Sequence, residues 1–276
     1  MNLEDIALVY MVAGISKRFG SRIKPFACIG PRGEKLIEYS LNQAMSVGFS
    51  KIIFIVSENN KKEFTDFFGN SYNNVPVFYA VQTFDKRTRE KPWGTADALC
   101  TSIPYVDCPF IVCNGDDLYG ERAFASLVNH IKSNNKNEGA TIGYRLDRVL
   151  SDRRSVNRGI FTTHKSLVTN IREVLGITKE NFESKELHRN NLCSMNIYAF
   201  FPEILQALQE RVTSFKKKFV KHRESECYIP KELSALIAEG KTSLCLFPAQ
   251  EQWMGVTYPE DEIRIRDLLA SHAPSA

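Results

Sequence analysis

The sequence predicts an α/β protein on a central, mainly parallel sheet, with mixed-sheet elements added in its second half. Three observations lead there. Short, unbroken apolar runs recur at Ile6 to Val12, Lys51 to Val56 and Pro109 to Cys113, the pattern of strands buried on both faces. Helical spacings lie between them, and alternating strand and helix is the order of a parallel sheet covered on both sides. The chain has 276 residues, 43% hydrophobic and 25% charged, which are globular proportions with enough apolar content for a sizeable core.

Taken in order, Ile6 to Val12 is the first strand, ending at Gly14. Leu36, Ile37, Leu41, Ala44 and Met45 recur at helical spacing, and Gly48 is a natural stop. Lys51 to Val56 is the second strand, Lys61 to Phe68 a polar helix, and Val75 to Val81 a third strand despite Pro76. Residues 94–103 read as a helix, and Pro109 to Cys113 as a strand running into Asn114-Gly115-Asp116-Asp117. The second half changes rhythm, with strands expected at 139–145, 158–163, 167–174 and 193–200. Helices follow at 202–212 and 229–239, then strands near 242–247 and 252–257 and a terminal helix. No repeat, low-complexity segment or long Pro/Gly/Ser linker divides the chain, so a single domain over residues 1–276 is expected.

Composition excludes several classes. A net charge of +4 is too small to argue for nucleic-acid binding. No stretch approaches the roughly 20 apolar residues of a membrane span. The opening Met-Asn-Leu-Glu-Asp has two acids and no basic region, against a secretory leader. Seven cysteines lack Cys-x-x-Cys or zinc-finger spacing, and several sit in apolar runs, so buried, reduced thiols in a cytoplasmic protein are expected.

Three segments can carry chemistry. Residues 11–20 run a strand into a Gly turn whose backbone N–H groups suit phosphate oxygens, with Arg18 and Lys24 as cationic donors. Neither a Walker A loop nor a dinucleotide fingerprint is present, and a plain strand-ending turn is the rival reading. Asp116 and Asp117 follow a buried strand, where paired carboxylates suit Mg²⁺; the rival is an Asx turn favoured by Asn-Gly-Asp. Lys91-Pro92-Trp93-Gly94-Thr95-Ala96-Asp97-Ala98 would open a helix, capped by Thr95 and smooth enough for a nucleobase, against the alternative of tight helix packing.

Together these segments resemble the nucleotidyltransferases that join a sugar 1-phosphate to an NTP. That family carries a Leu-Ala-Ala-Gly-x-Gly-x-Arg loop with a later Lys-Pro, a Gly-Thr-Ala-x-Ala segment, and a strand ending in a metal-binding Asp. Here these are residues 11–18, Lys24-Pro25, 94–98 and 114–117. A subgroup with Lys-Pro-Trp-Gly-Thr and Asn-Ala-Asp-Asp-Phe-Tyr-Gly is closer still, the latter written here as Asn-Gly-Asp-Asp-Leu-Tyr-Gly. Ser155-Val156-x-Arg158-Gly159, Ser194-Met195-Asn196 and Trp253-x-Gly255-Val256-Thr257-Tyr258 extend the likeness to about residues 6–262.

The resemblance implies a Rossmann-like, GT-A-like three-layer fold, with residues 1–135 forming the nucleotide-binding half and 136–276 the sugar-phosphate-binding half. It implies that Ala13, Gly14, Ser16, Gln82, Gly94 and Thr95 bind the nucleotide. Arg18 would grip the departing pyrophosphate and Lys24 the α-phosphate, while Asp116, with Asp117, would hold Mg²⁺. Gly159, Glu173 and Asn196 would contact the sugar phosphate. The partners implied are NTP and sugar 1-phosphate, with neither nucleic acid nor membrane; self-association stays open. UTP or dTTP is favoured because a glutamine offers both a donor and an acceptor.

Three positions depart from the family pattern. Ser16 replaces the second loop glycine, Gly255 stands where a second metal-binding Asp is usual, and Val174 where a phosphate-binding Lys often follows the Glu. Asp117, and Arg158 or Arg172, are the candidate substitutes. These departures keep open a cytidylyltransferase for a phosphorylated alcohol or amino alcohol, and a catalytically silent nucleotide-binding regulator. Two basic stretches remain. Lys86, Arg87, Arg89 and Lys91 are expected near phosphates, whereas Arg211 to Arg223 reads mainly as a solvated helix face or loop with Phe215 and Phe219 packed inward, the rival being a surface for acidic partners or a flap over an anionic substrate.

Overall fold

The computed structural model describes residues 5–14, 23–133, 138–151, 154–256 and 260–272. Its first strand, β1 (Ala7–Met11), shows how the sequence builds the layers. Ile6, Leu8, Tyr10 and Val12 point to one face and Ala7 and Val9 to the other, so both sides of an apolar run are used. On the first face lie α1 (Leu36–Met45), α2 (Lys61–Phe68) and α4 (Glu121–Ser133). On the second lie α3 (Thr95–Cys100), α6 (Glu203–Lys218) and α7 (Ile229–Ala238). Each fully buried Leu, Ile or Phe contributes about 1.5–3 kcal/mol, so these two faces dominate the stability.

The first-half strands are β2 (Lys51–Ser57), β3 (Ser71–Tyr72), β4 (Val75–Gln82), β5 (Phe110–Asn114) and the short β6 (Asp117–Leu118). The second half adds β7 (Gly139–Arg145), a single turn α5 (Leu146–Val149), β8 (Val156–His164), β9 (Leu167–Ile177), β10 (Leu192–Phe200), β11 (Leu244–Pro248), β12 (Met254–Gly255) and α8 (Glu260–His272). Ten strands form one sheet in the order β3-β4-β2-β1-β5-β10-β7-β11-β9-β8. β4, β2, β1 and β5 are parallel, β10 then runs antiparallel to β5 and β7, and β8–β9 is an antiparallel hairpin. The expected parallel first half and mixed second half are both present.

Differences from expectation have physical causes. The α4 helix was not anticipated, although Ala123, Phe124, Leu127, Val128 and Ile131 are its buried positions at helical spacing. Helix α3 stops at Cys100 and gives way to a 3-10 turn at Ile103–Tyr105, where Pro104 cannot donate to an α-helical ladder. Helix α6 runs through Lys218, so the basic stretch begins as helix surface. Strands β6 and β12 form a separate two-stranded ladder, with Asp117 opposite Gly255. A third, smaller apolar cluster joins Ala27, Ile29 and Leu36 to Leu118, Val256, Ile265 and Leu269. Six of the seven cysteines are buried, Cys28 being half-exposed. No described helix is long and apolar enough to cross a membrane.

Candidate functional site

The carboxyl ends of β1, β4 and β5 open on one side of the parallel half, the usual position for a ligand in such a sheet. Beyond β1, Val12 is fixed by its N–H to Ile55 O (2.9 Å) and by Asn60 Nδ2 donating to its carbonyl (2.7 Å). Ala13 is buried, while Gly14 is exposed and faces open space. Ser16 and Arg18 lie outside the described residues.

Lys24 opens a 3-10 turn, Lys24–Phe26, and its ammonium pairs with Asp116 Oδ2 just beyond β5. Burial works against that charge, but Asp116 and Asp117 more than offset it, and the lysine pKa rises. Asp117 is buried; Asn114 Nδ2 donates to its Oδ2 at 2.8 Å, and the Tyr119 hydroxyl lies 3.2 Å from the same oxygen. Burial pushes the Asp117 carboxyl pKa up, the Asp116 charge pushes it further, and Lys24 opposes both. Oδ1 of each aspartate takes no hydrogen bond among the described residues. Two oxygen-only donors side by side suit a hard divalent cation.

Across the ladder, a Cβ on Gly255 would fall 2.3 Å from Trp253 Cζ2. The indole thus fills the space a side chain at 255 would need, and the second carboxylate of the cluster is Asp117 instead. Arg158 lies with its guanidinium 5.6 Å from the Trp253 ring centroid. Its Nη2 donates to Val149 O (2.8 Å), whereas Arg158 Nε and Trp253 Nε1 are buried donors without a partner among the described residues. Asp117 and Glu173 are among the charges acting on Arg158.

The second half connects to this cluster through β10. The Tyr119 hydroxyl lies 2.7 Å from Met195 O, and the next residue, Asn196, has φ +59° at an irregularity between Ser194 and Tyr198. Asn is among the few side chains that accept this conformation, and its N–H donates to Ser194 Oγ at 3.1 Å. Ser194 pairs with Gly159 on β8, and Gly159 with Glu173 on β9. Desolvation raises the Glu173 carboxyl pKa and Arg158 opposes it. Val174 is buried in the core and Arg172 is exposed; Arg158 is the cross-strand partner of Val174.

Gln82, Gly94 and Thr95 form a separate wall. Gln82 Nε2 donates to Gly94 O (3.2 Å) and Asp97 Oδ2 (3.0 Å), and Asp97 Oδ1 pairs with Lys216 Nζ at 2.5 Å. The glutamine donor is therefore already used, and only its oxygen remains for a ligand. Thr95 is not the cap of α3: Gly94 is, and the Thr95 hydroxyl accepts the Ile229 N–H at 3.1 Å. Trp93 O accepts from Cys227 N–H and Ala96 N–H donates to Cys227 O, so this segment is also tightly packed.

Arg89 was expected near phosphates and is not placed to meet them. It is 2% exposed, stacks 3.4 Å over Trp93, and donates to the carbonyls of Lys91 (3.0 Å), His222 (2.8 Å) and Ser225 (2.5 Å). Arg87 pairs with Asp85 at 3.0 Å. Phe215 meets Trp93 edge-on and Phe219 lies 4.5 Å from Phe215, so the basic stretch packs inward through its aromatics. The residues that sequence reasoning missed are Asn60, Asn114 and Tyr119 in their bonding roles, and the Asp97–Lys216 pair.

The Nucleotidyl transferase family profile matches residues 21–269. No curated protein matches the chain in sequence. Solved structures share its fold at low identity. A putative glucose-1-phosphate thymidylyltransferase from Bacillus anthracis, in complex with a sucrose, aligns at TM-score 0.72 and 14% identity, covering 98% of each chain. The inositol-1-phosphate CTP transferase from T. maritima aligns at 0.68 and 15%, again over 98% of each. A UDP-glucose pyrophosphorylase complexed with UDP-glucose aligns at 0.66 and 16%, over 98% of this chain and 100% of that one.

Proposed function

This chain belongs to the nucleotidyl transferase family, and from that premise we propose that it condenses an NTP, UTP or dTTP by preference, with a sugar 1-phosphate to give an NDP-sugar and pyrophosphate. The observation that carries the reading is the juxtaposition of Lys24 with Asp116 and Asp117 at the carboxyl end of β5, one cation beside two carboxylates. Residues 1–135 would present the nucleotide and residues 136–276 the acceptor, within one domain. A sugar phosphate acceptor is supported by the name of the putative glucose-1-phosphate thymidylyltransferase and an NDP-sugar product by the UDP-glucose pyrophosphorylase held with UDP-glucose, while the inositol-1-phosphate CTP transferase widens the acceptor class to other phosphorylated alcohols.

In the reaction, an oxygen of the sugar phosphate attacks the NTP α-phosphorus in line. A new P–O bond forms, the bond to the β-phosphate oxygen breaks, and pyrophosphate carries away the electron pair. Ala13, Gly14, Ser16 and Thr95 line the nucleotide, with Gln82 and Gly94 against the base. Lys24 orients the α-phosphate, and Arg18 takes the charge of the leaving pyrophosphate. Asp116 and Asp117 would hold Mg²⁺, which when bound would supply neutralisation of phosphate charge. Gly159, Glu173 and Asn196 position the sugar. Arg158, on whose charge Glu173 and Asp117 both act, takes the place that Val174 leaves without a cation for the acceptor phosphate.

Pyrophosphate release measured over four NTPs and a panel of sugar phosphates, inositol 1-phosphate and phosphocholine tests this. Turnover is expected with UTP or dTTP and an aldose 1-phosphate. Turnover confined to CTP and a phosphorylated alcohol would replace the reading with cytidylyl transfer. Tight nucleotide binding without any turnover would leave a regulator on the same fold.

A further inference from the structure

We propose that Asp97, held by Lys216, sets the base preference of the cleft by locking the Gln82 carboxamide so that only its oxygen is left for a nucleobase. The inference rests on the base-contact assignment of Gln82 made above and adds a positioning residue to it. Both partners of Gln82 Nε2 are acceptors only: the Gly94 carbonyl at 3.2 Å and the Asp97 carboxylate at 3.0 Å. An inverted amide would set its oxygen against two oxygens, one of them charged, in a buried site. That orientation is far less stable than the one observed.

Neither acceptor is free to move. Gly94 has φ +98°, and a Cβ there would fall 2.5 Å from Cys227 O, so its backbone is pressed against 227; its carbonyl also accepts the Ala98 N–H at 3.0 Å. Asp97 is buried, and its second oxygen is engaged by Lys216 at 2.5 Å, a side chain from α6 that lies 5.9 Å from the Trp93 ring centroid. The ammonium gives the buried carboxylate an ion-pair partner, and a carboxylate so paired can only accept. Gln82 Oε1 has no hydrogen bond among the described residues.

A lone acceptor discriminates between pyrimidines at ring position 3. Uracil and thymine carry N3–H and donate to it. Cytosine presents a lone pair at the same place, leaving two acceptors face to face. A polar site built for one partner rejects the mismatched one by orders of magnitude.

The test is the UTP/CTP ratio, with dTTP in parallel, in kcat/KM and in equilibrium affinity, for the wild type, Asp97→Asn and Asp97→Ala. The wild type is expected to favour UTP or dTTP over CTP by at least about 100-fold. The asparagine of Asp97→Asn is isosteric and brings an NH₂ that lets the Gln82 amide invert and offer its own NH₂ to cytosine N3. The ratio should fall at least about tenfold, through better use of CTP. Asp97→Ala removes the carboxylate outright and should move the ratio the same way, which covers misfolding of the first variant. A purely structural role would depress both nucleotides alike. Ratios within about twofold of wild type in the folded variants, or a wild type that prefers CTP, overturn the proposal. In a wild type without turnover the affinity ratio still decides the role of Asp97, and the catalytic reading alone fails.

Discussion

Gly255 faces Asp117 across the β6–β12 ladder so closely that a Cβ on the glycine would fall 2.7 Å from Asp117 Oδ1. A carboxylate at 255 and the carboxylate of Asp117 are thus alternatives in this packing. Gly255→Asp is expected to lose stability by about 1–3 kcal/mol, from overpacking against Trp253 and from like-charge repulsion. It should also lower turnover. Denaturant unfolding and pyrophosphate release together check this; a more active, equally stable variant would refute the exclusion.

Asp116→Ala should abolish Mg²⁺-dependent turnover, and wild-type activity in that variant would remove the proposed metal site. Lys24→Ala should reduce kcat/KM at least about 100-fold, the scale of losing one positioned charge. Its effect on folding should be no more than about 1 kcal/mol, because Asp116 is 32% exposed and re-solvates. Steady-state kinetics and thermal melts on the same preparation separate the two effects.

Arg89 has a structural prediction. Its guanidinium ties the 85–93 loop to the 222–225 segment through carbonyls. Arg89→Ala should cost about 2–4 kcal/mol, and Arg89→Lys should not restore it, since an ammonium cannot span the same fork or stack on Trp93. Limited proteolysis should then cut first near 222–225. Unchanged stability in both variants would argue against this strap.

The thiols supply a chemical check. Cys28 is the half-exposed cysteine and receives a hydrogen bond from Lys35 Nζ at 2.9 Å, while burial pushes the thiol pKa up at Cys100, Cys113, Cys193 and Cys227. A thiol reagent near neutral pH should label Cys28 rapidly and the others only on unfolding. Peptide mapping after a short pulse reads this directly, and fast labelling of Cys113 would contradict the packing around β5.

Strands whose apolar character is continuous were legible from sequence, because burial on two faces leaves no polar alternation to confuse them. β1, β2, β5 and β7 fall within a residue or two of expectation. The two-residue β6 was not, since it has no pattern of its own and exists only by pairing across the chain, while the strand expected near 252–257 is present as Met254–Gly255 alone. The α4 helix does carry a readable signal, in Phe124, Leu127, Val128 and Ile131 at helical spacing. At the site, Lys24, Asp116 and Asp117 were named by motif, and the structure places them together. Asp97–Lys216 could not be read, because nothing local links residues so far apart. Arg89 misled for the same reason: its charge suggested a ligand, and its partners are backbone carbonyls, two of them from a distant loop.

The third apolar cluster has a consequence for how the molecule comes into being. Ala27, Ile29 and Leu36 beside the Lys24 turn, and Leu118 beside Asp117, share their nucleus with Val256, Ile265 and Leu269. During synthesis the early parallel strands and their helices can collapse while the ribosome is still translating the second half. The nucleus that braces Lys24 and Asp117 must wait for α8. A nascent chain therefore passes through a stage with its sheet largely assembled and its cleft unbraced.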